Sequence, residues 1–288
     1  MVEALAARVL LLEALTLATC PAEFETIIGS WVLRSSKSNV MRANTITVFG
    51  DDALDVKAFS QRLKKCESWY LNHGKKILFR LSHHSAAMTV DRALATHGYQ
   101  HYDATLVMQI AALPSVNLAA FETTWTPAAI DVGTATHWRM STRGEAVEVA
   151  AREASAAREY GRNRACSDSQ IWLENIVKSN GVLDAMSDAR LARNTHACAI
   201  FDAQQNLVAS GVARTCGTHV GLFNVYTAPS HLGQGCGKAI TQALLVWAQH
   251  QGATAAFLQV EAHNAKAIRL YARFGFGAVY RYHYRRPG

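Results

Sequence analysis

Hydrophobic residues in the first part of the chain alternate between helical and strand spacing. Leu10, Leu11, Leu15 and Leu17 form one stripe within residues 9–20, and Pro21 follows, so this segment is expected to be a helix buried along that stripe. Residues 31–35 follow a glycine and residues 44–49 precede Gly50, and both runs read as strands. Phe59, Leu63, Cys66 and Tyr70 repeat at helical spacing across 55–72, with Gly74 as a stop. A short apolar strand at 77–82, a helix at 90–97 ended by Gly98 and a strand at 102–110 complete this half.

Residues 111–136 read as a connector punctuated by Pro114 and Pro127. Helical spacing returns at 144–160, 167–179 and 182–193. Strands at 197–201 and 207–213 flank the turn residues 202–206, which is a hairpin pattern. A strand at 221–227 is next. It is followed by a helix at 238–250 with Ile240, Ala243, Leu244 and Trp247 on one face and Gly252 at its end. The pattern closes with a strand at 256–260, a helix at 264–274 and a strand at 278–284. Strands alternating with helices in this way predict a mixed α/β sheet covered by helices.

Composition narrows the class of protein. The chain has 288 residues, enough for two ordinary domains, with half of them hydrophobic and 18% charged, which is globular rather than disordered. The formal charge of +7 is compatible with an anionic partner, but Lys and Arg form no block, so nucleic acid is not expected. Cys20, Cys66, Cys166, Cys198, Cys216 and Cys236 make no metal-binding spacing, so reduced thiols and no metal are expected. Glu3 and Glu13 interrupt the apolar start and no basic leader precedes it. With no stretch long enough to span a membrane, this predicts a cytoplasmic protein.

The sharpest chemical feature is Leu232-Gly233-Gln234-Gly235-Cys236-Gly237-Lys238, between a predicted strand and a predicted helix. Alternate glycines let the backbone approach a ligand, and the helix that follows directs free N–H groups and its positive dipole end into the loop. Such a loop suits a phosphate or pyrophosphate. It is not a Walker A loop, because Leu232 stands where the first glycine is required and Ala239 follows the lysine. Nor is it a dinucleotide fingerprint, since Gly237 follows Gly235 at the wrong spacing. A glycine-rich turn without a ligand remains open on the loop alone.

Downstream, Leu258-Gln259-Val260-Glu261-Ala262-His263-Asn264 leads into Ala267, Leu270-Tyr271 and Gly275-Phe276. Taken together, the loop and this segment resemble the two signatures of the GNAT superfamily of acyl-CoA N-acetyltransferases, in their order and separation. The acyl-CoA loop of that family is Gln/Arg-x-x-Gly-x-Gly/Ala. Gly235 and Gly237 match its fixed positions, while Leu232 replaces the opening Gln or Arg, which removes a side chain and leaves the backbone amides.

The resemblance implies that Gly233, Gln234, Gly235, Cys236, Gly237 and Lys238, beside Leu232, hold the pyrophosphate of acetyl-CoA as co-substrate. It implies that Val225, Tyr226 and Thr227 form the strand edge that receives the pantetheine arm and offers an N–H to the thioester oxygen. Asn264 caps its helix and, with Tyr271 two turns further along, completes the cofactor-binding and catalytic set. Tyr271 would protonate the departing CoA thiolate. The general base stays open among Glu261, His263, His219, Tyr282, His283 and Tyr284.

The first half carries an echo of the second. Phe79-Arg80-Leu81 precedes a helix with Ala93-Leu94-Ala95, then Gly98-Tyr99 and a strand, so that Leu94 falls where Tyr271 stands. At the position of the glycine loop stand Gly50, Asp51 and Asp52, whose carboxylates repel pyrophosphate. The expected arrangement is a tandem: residues 1–115 as a degenerate GNAT-like domain and residues 116–288 as the catalytic domain. The expected reaction is direct acetyl transfer to a small-molecule or protein amine in a ternary complex, with no acyl-enzyme on Cys236. A homodimer is compatible with this reading. The rivals are a CoA-binding regulatory module without catalysis and a nucleic-acid-binding protein. Glu145, Glu148, Glu153 and Glu159 suit either a cationic acceptor or solvent.

Overall fold

The computed structural model describes residues 2–37, 40–50, 52, 55–83, 85–113, 139–141, 194–202 and 206–288. The helices expected at 144–160, 167–179 and 182–193, with their four glutamates, lie outside the described residues, as do Asp51, Cys166 and most of the connector. The chain divides into two compact units, Met1–Gln109 with Gln259–Gly288 and Ile110–Leu258. None of the described helices is long and apolar enough to cross a membrane.

The chain order is α1 (Val2–Thr19), β1 (Phe24–Ile28), β2 (Trp31–Ser35), β3 (Ile46–Val48), α2 (Val56–Asn72), β4 (Phe79–Ser82), α3 (Ser85–Thr96) and β5 (Tyr99–Ile110). It continues through β6 (Arg139–Ser141), β7 (Thr195–Phe201), β8 (Leu207–Cys216), β9 (His219–Thr227), α4 (Cys236–His250), β10 (Ala255–Glu261), α5 (Ala265–Ala272) and β11 (Gly277–Pro287). The same succession of hairpin, strand, helix, strand, helix and strand therefore occurs twice, from β1 to β5 and from β7 to β11. The echo extends to the backbone. Gly98 after α3 and Gly275 after α5 are both left-handed, at φ 82° and 91°, and each is followed by a buried aromatic residue, Tyr99 and Phe276.

In the first unit the strands lie in the order β1-β2-β3-β4-β11-β5. β3 runs parallel to β4, and β11 is antiparallel to both β4 and β5. Compactness thus groups residues 259–288 with the N-terminal unit, whereas the sequence boundary near 115 puts them with the C-terminal domain. Strand pairing is the reason, because β11 is hydrogen-bonded along both of its edges within the first unit.

Alternation gives this sheet two different faces. Trp31, Leu33, Ile46, Val48, Phe79 and Leu81 point to one side and pack with Phe59, Leu63, Cys66 and Tyr70 of α2 and with Val90 and Leu94 of α3. Phe79 meets the Trp31 and Tyr99 rings edge-on, each at 5.6 Å. The other face carries Arg34, Thr45, Thr47, Arg80 and Ser82, buried as well. There α1 buries Val9, Leu12 and Leu15, while Leu11 is 46% exposed, so the apolar stripe lies rotated from the expected one. Glu13, which breaks the apolar run in sequence, explains the rotation: it is fully buried, pairs with Arg80 and accepts a hydrogen bond from the Tyr280 hydroxyl.

The second unit has the order β10-β9-β8-β7-β6, with β10 parallel to β9 and every other pair antiparallel. The strand β1 was missing from the sequence pattern because its residues are mostly exposed and do not alternate cleanly. The expected strand at 44–49 is shorter, beginning at Ile46 after a one-turn 3-10 helix at Met41–Ala43.

Near one end of β11 a histidine cluster is closed over a single carboxylate. His283 Nε2 lies 2.7 Å from Asp91 Oδ1, the His101 ring stacks on His283 at 4.4 Å, and His83 stands at 5.7 Å from it. Arg285 Nε donates to the same Asp91 oxygen. Burial pushes both His83 and His283 below the ordinary histidine value, against the pull of Asp91.

Two outcomes follow from this packing. Phe79→Ala is expected to cost about 3–5 kcal/mol in urea unfolding, the range for truncating a buried phenylalanine. Because the folded state prefers neutral His83 and His283, the unfolded state binds more protons in the window just below the ordinary histidine pKa. Unfolding free energy should then be level above about pH 7 and fall as the pH drops through about 6.5, with a shallower fall in His283→Gln.

Candidate functional site

The loop after β9 is built by glycine. After Thr227 come a one-turn 3-10 helix at Pro229–His231 and then Leu232, Gly233 and Gln234. Gly233 and Gly235 hold φ of 82° and 85°, a region that L side chains rarely enter. Gly235 is the N-cap of α4 in this left-handed conformation, and no side chain caps the helix. The first backbone bond of the turn runs from the Ala239 N–H to the Gly235 carbonyl. Among the described residues, the amides of Gly235, Cys236, Gly237 and Lys238 have no acceptor. Four N–H groups and a helix dipole therefore face one place without an internal anion.

The side chains around those amides leave them accessible. Leu232 is exposed, and Gln234 turns back to donate to the Ser230 carbonyl at 3.1 Å. Lys238 is exposed, available as a cation at the rim. Cys236 is buried under the loop with its Sγ 3.7 Å from the His231 carbonyl, and burial pushes its thiol up to about 11. A neutral buried thiol is a packing residue and a poor nucleophile.

The neighbouring strand contains an irregularity that sequence reasoning missed. Along β8 and β9 the register passes from Ser210↔Tyr226 to Val212↔Phe223, which leaves an extra residue on β9. Asn224 takes it up at φ 51°, a left-handed position that asparagine tolerates better than most residues. Pairing between β9 and β10 covers His219–Leu222 against Ala255–Leu258 and goes no further, although β9 continues to Thr227. Beyond the bulge Tyr226 and Thr227 pair with Ser210 and Ala209 of β8, and Val225, Tyr226 and Thr227 are all half-buried. The isolated Asn224 between Phe223 and Val225 was the available signal, since a polar residue inside an apolar strand often marks a bulge.

Gly211 on β8 is a second residue without a sequence signal. A Cβ there would come within 2.7 Å of the Ile240 side chain, 2.9 Å of Leu244 and 3.4 Å of Val225. It lets α4, and with it the loop, seat directly on the sheet.

Asn264 and Tyr271 belong to the first unit. Asn264 is the N-cap of α5, where its Oδ1 accepts from the Ala267 N–H at 3.0 Å, as the sequence pattern indicated. Tyr271 is buried, edge-on to Phe276 at 6.0 Å, and burial pushes its hydroxyl up to about 12. Among the open base positions, Glu261 and His263 are exposed and 3.4 Å apart. His219 opens β9 while Thr227 closes it, about 25 Å away at 3.3 Å per residue, so it is remote from the loop. Tyr282, His283 and Tyr284 are buried structural members of β11, with His283 held by Asp91.

Residues 156–276 match the Acetyltransferase (GNAT) family. A curated relative, an uncharacterized N-acetyltransferase YobR of Bacillus subtilis (strain 168), is 25% identical over 95% of this chain and 96% of its own. The fold is similar to that of a GCN5-related N-acetyltransferase from Kribbella flavida, with TM-score 0.62, 16% identity and coverage of 98% and 96%. It is also similar to a tandem GNAT protein from the clavulanic acid biosynthesis pathway, with TM-score 0.56, 12% identity and coverage of 95% and 86%.

Two substitutions test the site's construction. Asn224→Val, which places a β-branched residue at positive φ, should cost about 1–3 kcal/mol of stability, while Asn224→Gly should be tolerated. Gly211→Val should destabilise by about 1–3 kcal/mol or more, measured by thermal unfolding, because α4 must lift to admit it.

Proposed function

We propose that this chain, whose C-terminal part is a domain of the GNAT acetyltransferase family, transfers the acetyl group of acetyl-CoA to a primary amine by direct attack in a ternary complex. The observation that carries this reading is the set of unpartnered amides from Gly235 to Lys238 at an uncapped helix start. Those groups suit a pyrophosphate, and the stretch Val225–Thr227, past the last β9–β10 pair at Leu222 and Leu258, suits an extended amide-bearing arm. Acetyl-CoA supplies the acetyl group as a thioester. Backbone N–H groups along the β9 edge polarise its carbonyl oxygen. The amine nitrogen forms a bond to the acetyl carbon, the carbon–sulfur bond breaks, and the amine's surplus proton passes to water.

Tyr271 is the proposed donor to the departing sulfur. A phenol pushed up to about 12 stays protonated throughout the working range; once its proton has passed to the departing sulfur, the phenolate regains one from water. The roles of Asn264 and of the loop residues Leu232 to Lys238 follow the family pattern, with Asn264 fixing the start of the helix that carries Tyr271. Residues 1–115 are the proposed non-catalytic half of the tandem and 116–288 the catalytic half. The reading is supported by what fills the loop position of the first half: Asp52 pairs with Arg62 and accepts from the Ser30 N–H, and Asp55 caps α2 through the Ala58 N–H. Carboxylates of the chain itself sit there in place of a bound anion.

Calorimetric titration should show acetyl-CoA binding to the wild-type protein and no binding to Gly235→Glu. Absence of binding by the wild type would remove the transferase reading. With an amine panel and thiol release as the readout, Tyr271→Phe should lower kcat by about 10²–10⁴-fold with little change in KM for acetyl-CoA.

A further inference from the structure

We infer that the first unit joins a second copy of this chain edge to edge, β1 against β1 in antiparallel fashion, so that its sheet continues across a two-fold axis at Thr26. β1 is the last strand in the order and, among the described residues, pairs with β2 alone. The edge is uncovered, with Phe24 49% and Ile27 66% exposed. Proteins normally blunt such an edge with lysine, proline or a bulge. β1 has none of these: its sequence is Phe-Glu-Thr-Ile-Ile, and its register with β2 is unbroken. Glu25, its one charged residue, is held by Arg34 at 3.0 Å.

The hairpin fixes which backbone groups are open. Gly29 and Ser30 join Ile28 to Trp31 as a two-residue turn, with Gly29 at φ 62°. The Ser30 carbonyl accepts from the Phe49 N–H at 3.1 Å, so Ser30 faces β3 and the next residue, Trp31, faces β1. The ladder bonds between β1 and β2 then fall at Ile28–Trp31, Thr26–Leu33 and Phe24–Ser35. The N–H and C=O of Glu25 and Ile27 point the other way, out of the edge, and no described residue bonds them.

A second β1 matches those groups with its own. Thr26 meets Thr26 at the axis, and on either side Glu25 of one chain exchanges both backbone bonds with Ile27 of the other. Phe24, whose ring lies 5.0 Å from His73, stands across from Ile28 of the other chain. Charge selects this register. The two Glu25 carboxylates fall on opposite sides of the axis, about 7 Å apart along the strands. A slip one way sets Glu25 against Glu25, and a slip the other way runs Glu25 into the turn at Gly29. The ends carry closed ion pairs: Glu23, held by Lys37, comes opposite Gly29 of the other chain, where Arg62 is paired with Asp52. Five residues make a contact well short of a standard interface, so the dimer is weak and forms with concentration. β1 holds none of the proposed acetyl-CoA residues, and the dimer does not depend on that site.

Sedimentation of the full-length protein from micromolar to millimolar concentration should show monomer passing to dimer and no further, because a two-fold contact uses up the edge. Ile27→Glu, at an exposed position, sets like charges against Glu25 in both pairs and should weaken the dimer about tenfold. Ile27→Lys sets opposite charges there and should dimerise at least as well as the wild type, a difference that pairing of Ile27 with Ile27 does not give. Ile27→Pro removes only an outward N–H and should be a folded monomer by thermal unfolding. Thr26→Cys brings two thiols to a non-hydrogen-bonded pair with Cα atoms about 4.5 Å apart, within disulfide reach, and diamide should cross-link it into dimers that the oxidised wild type does not form. The inference is overturned if the wild type stays monomeric throughout, or if Ile27→Glu and Ile27→Pro dimerise as well as the wild type. It is equally overturned if Ile27→Lys dissociates as Ile27→Glu does, or if the wild type stays monomeric and the edge takes up an unrelated extended peptide instead.

Discussion

A helix begins with amides that its own hydrogen bonds cannot satisfy, and most proteins cover them with a side chain. At α4 the chain leaves them open. Glycines at 233 and 235 supply the left-handed turns without side chains, Cys236 and Ala239 turn their small side chains into the core, and Gly211 lets the helix sit hard on β8. The bulge at Asn224 belongs to the same construction, because it changes the direction of β9 just before the strand runs out beside the loop. Among the described residues, these features leave the N–H groups at the start of α4 without an acceptor from the chain.

The first unit solves the same local problem differently. It has the same strand, turn and helix, from β3 to α2, but its helix start is capped by Asp55 and its turn is tied by Asp52 to Ser30 and Arg62. One architecture therefore appears twice, once with its positive helix end free and once neutralised by its own carboxylates. Divergence of this sort needs few substitutions, since the fold rests on the strands and their apolar face and not on the turn.

Much of this was legible in the sequence. The helix at 55–72 and its four core residues, the cap at Asn264, the left-handed Gly98 and Gly275 and the loop at 232–238 all depend on local rules of spacing and backbone freedom. What stayed hidden is non-local. The destination of β11 cannot be read from its own residues, which would pair as well in either half. The burial of Glu13 depends on Arg80 and Tyr280, far away in sequence, so the stripe read from the leucines alone lies rotated from the buried one. Gly211 and Asn224 look unremarkable until the helix above one and the register shift around the other are seen.

That long reach between the ends has a consequence for synthesis. Glu13 is bonded to Tyr280 across 267 residues, Thr16 to Gln259 across 243, and β11 fills the place between β4 and β5. On the ribosome the first hundred residues emerge with that place open: β4 and β5 present unpaired edges, and Arg80 waits without the tyrosines that surround it. The N-terminal half is the first to be made and the last to be finished. A nascent chain of this protein must hold a gap in its sheet until β11 arrives, so translation speed and chaperone binding bear most heavily on the strands that flank it, β4 and β5.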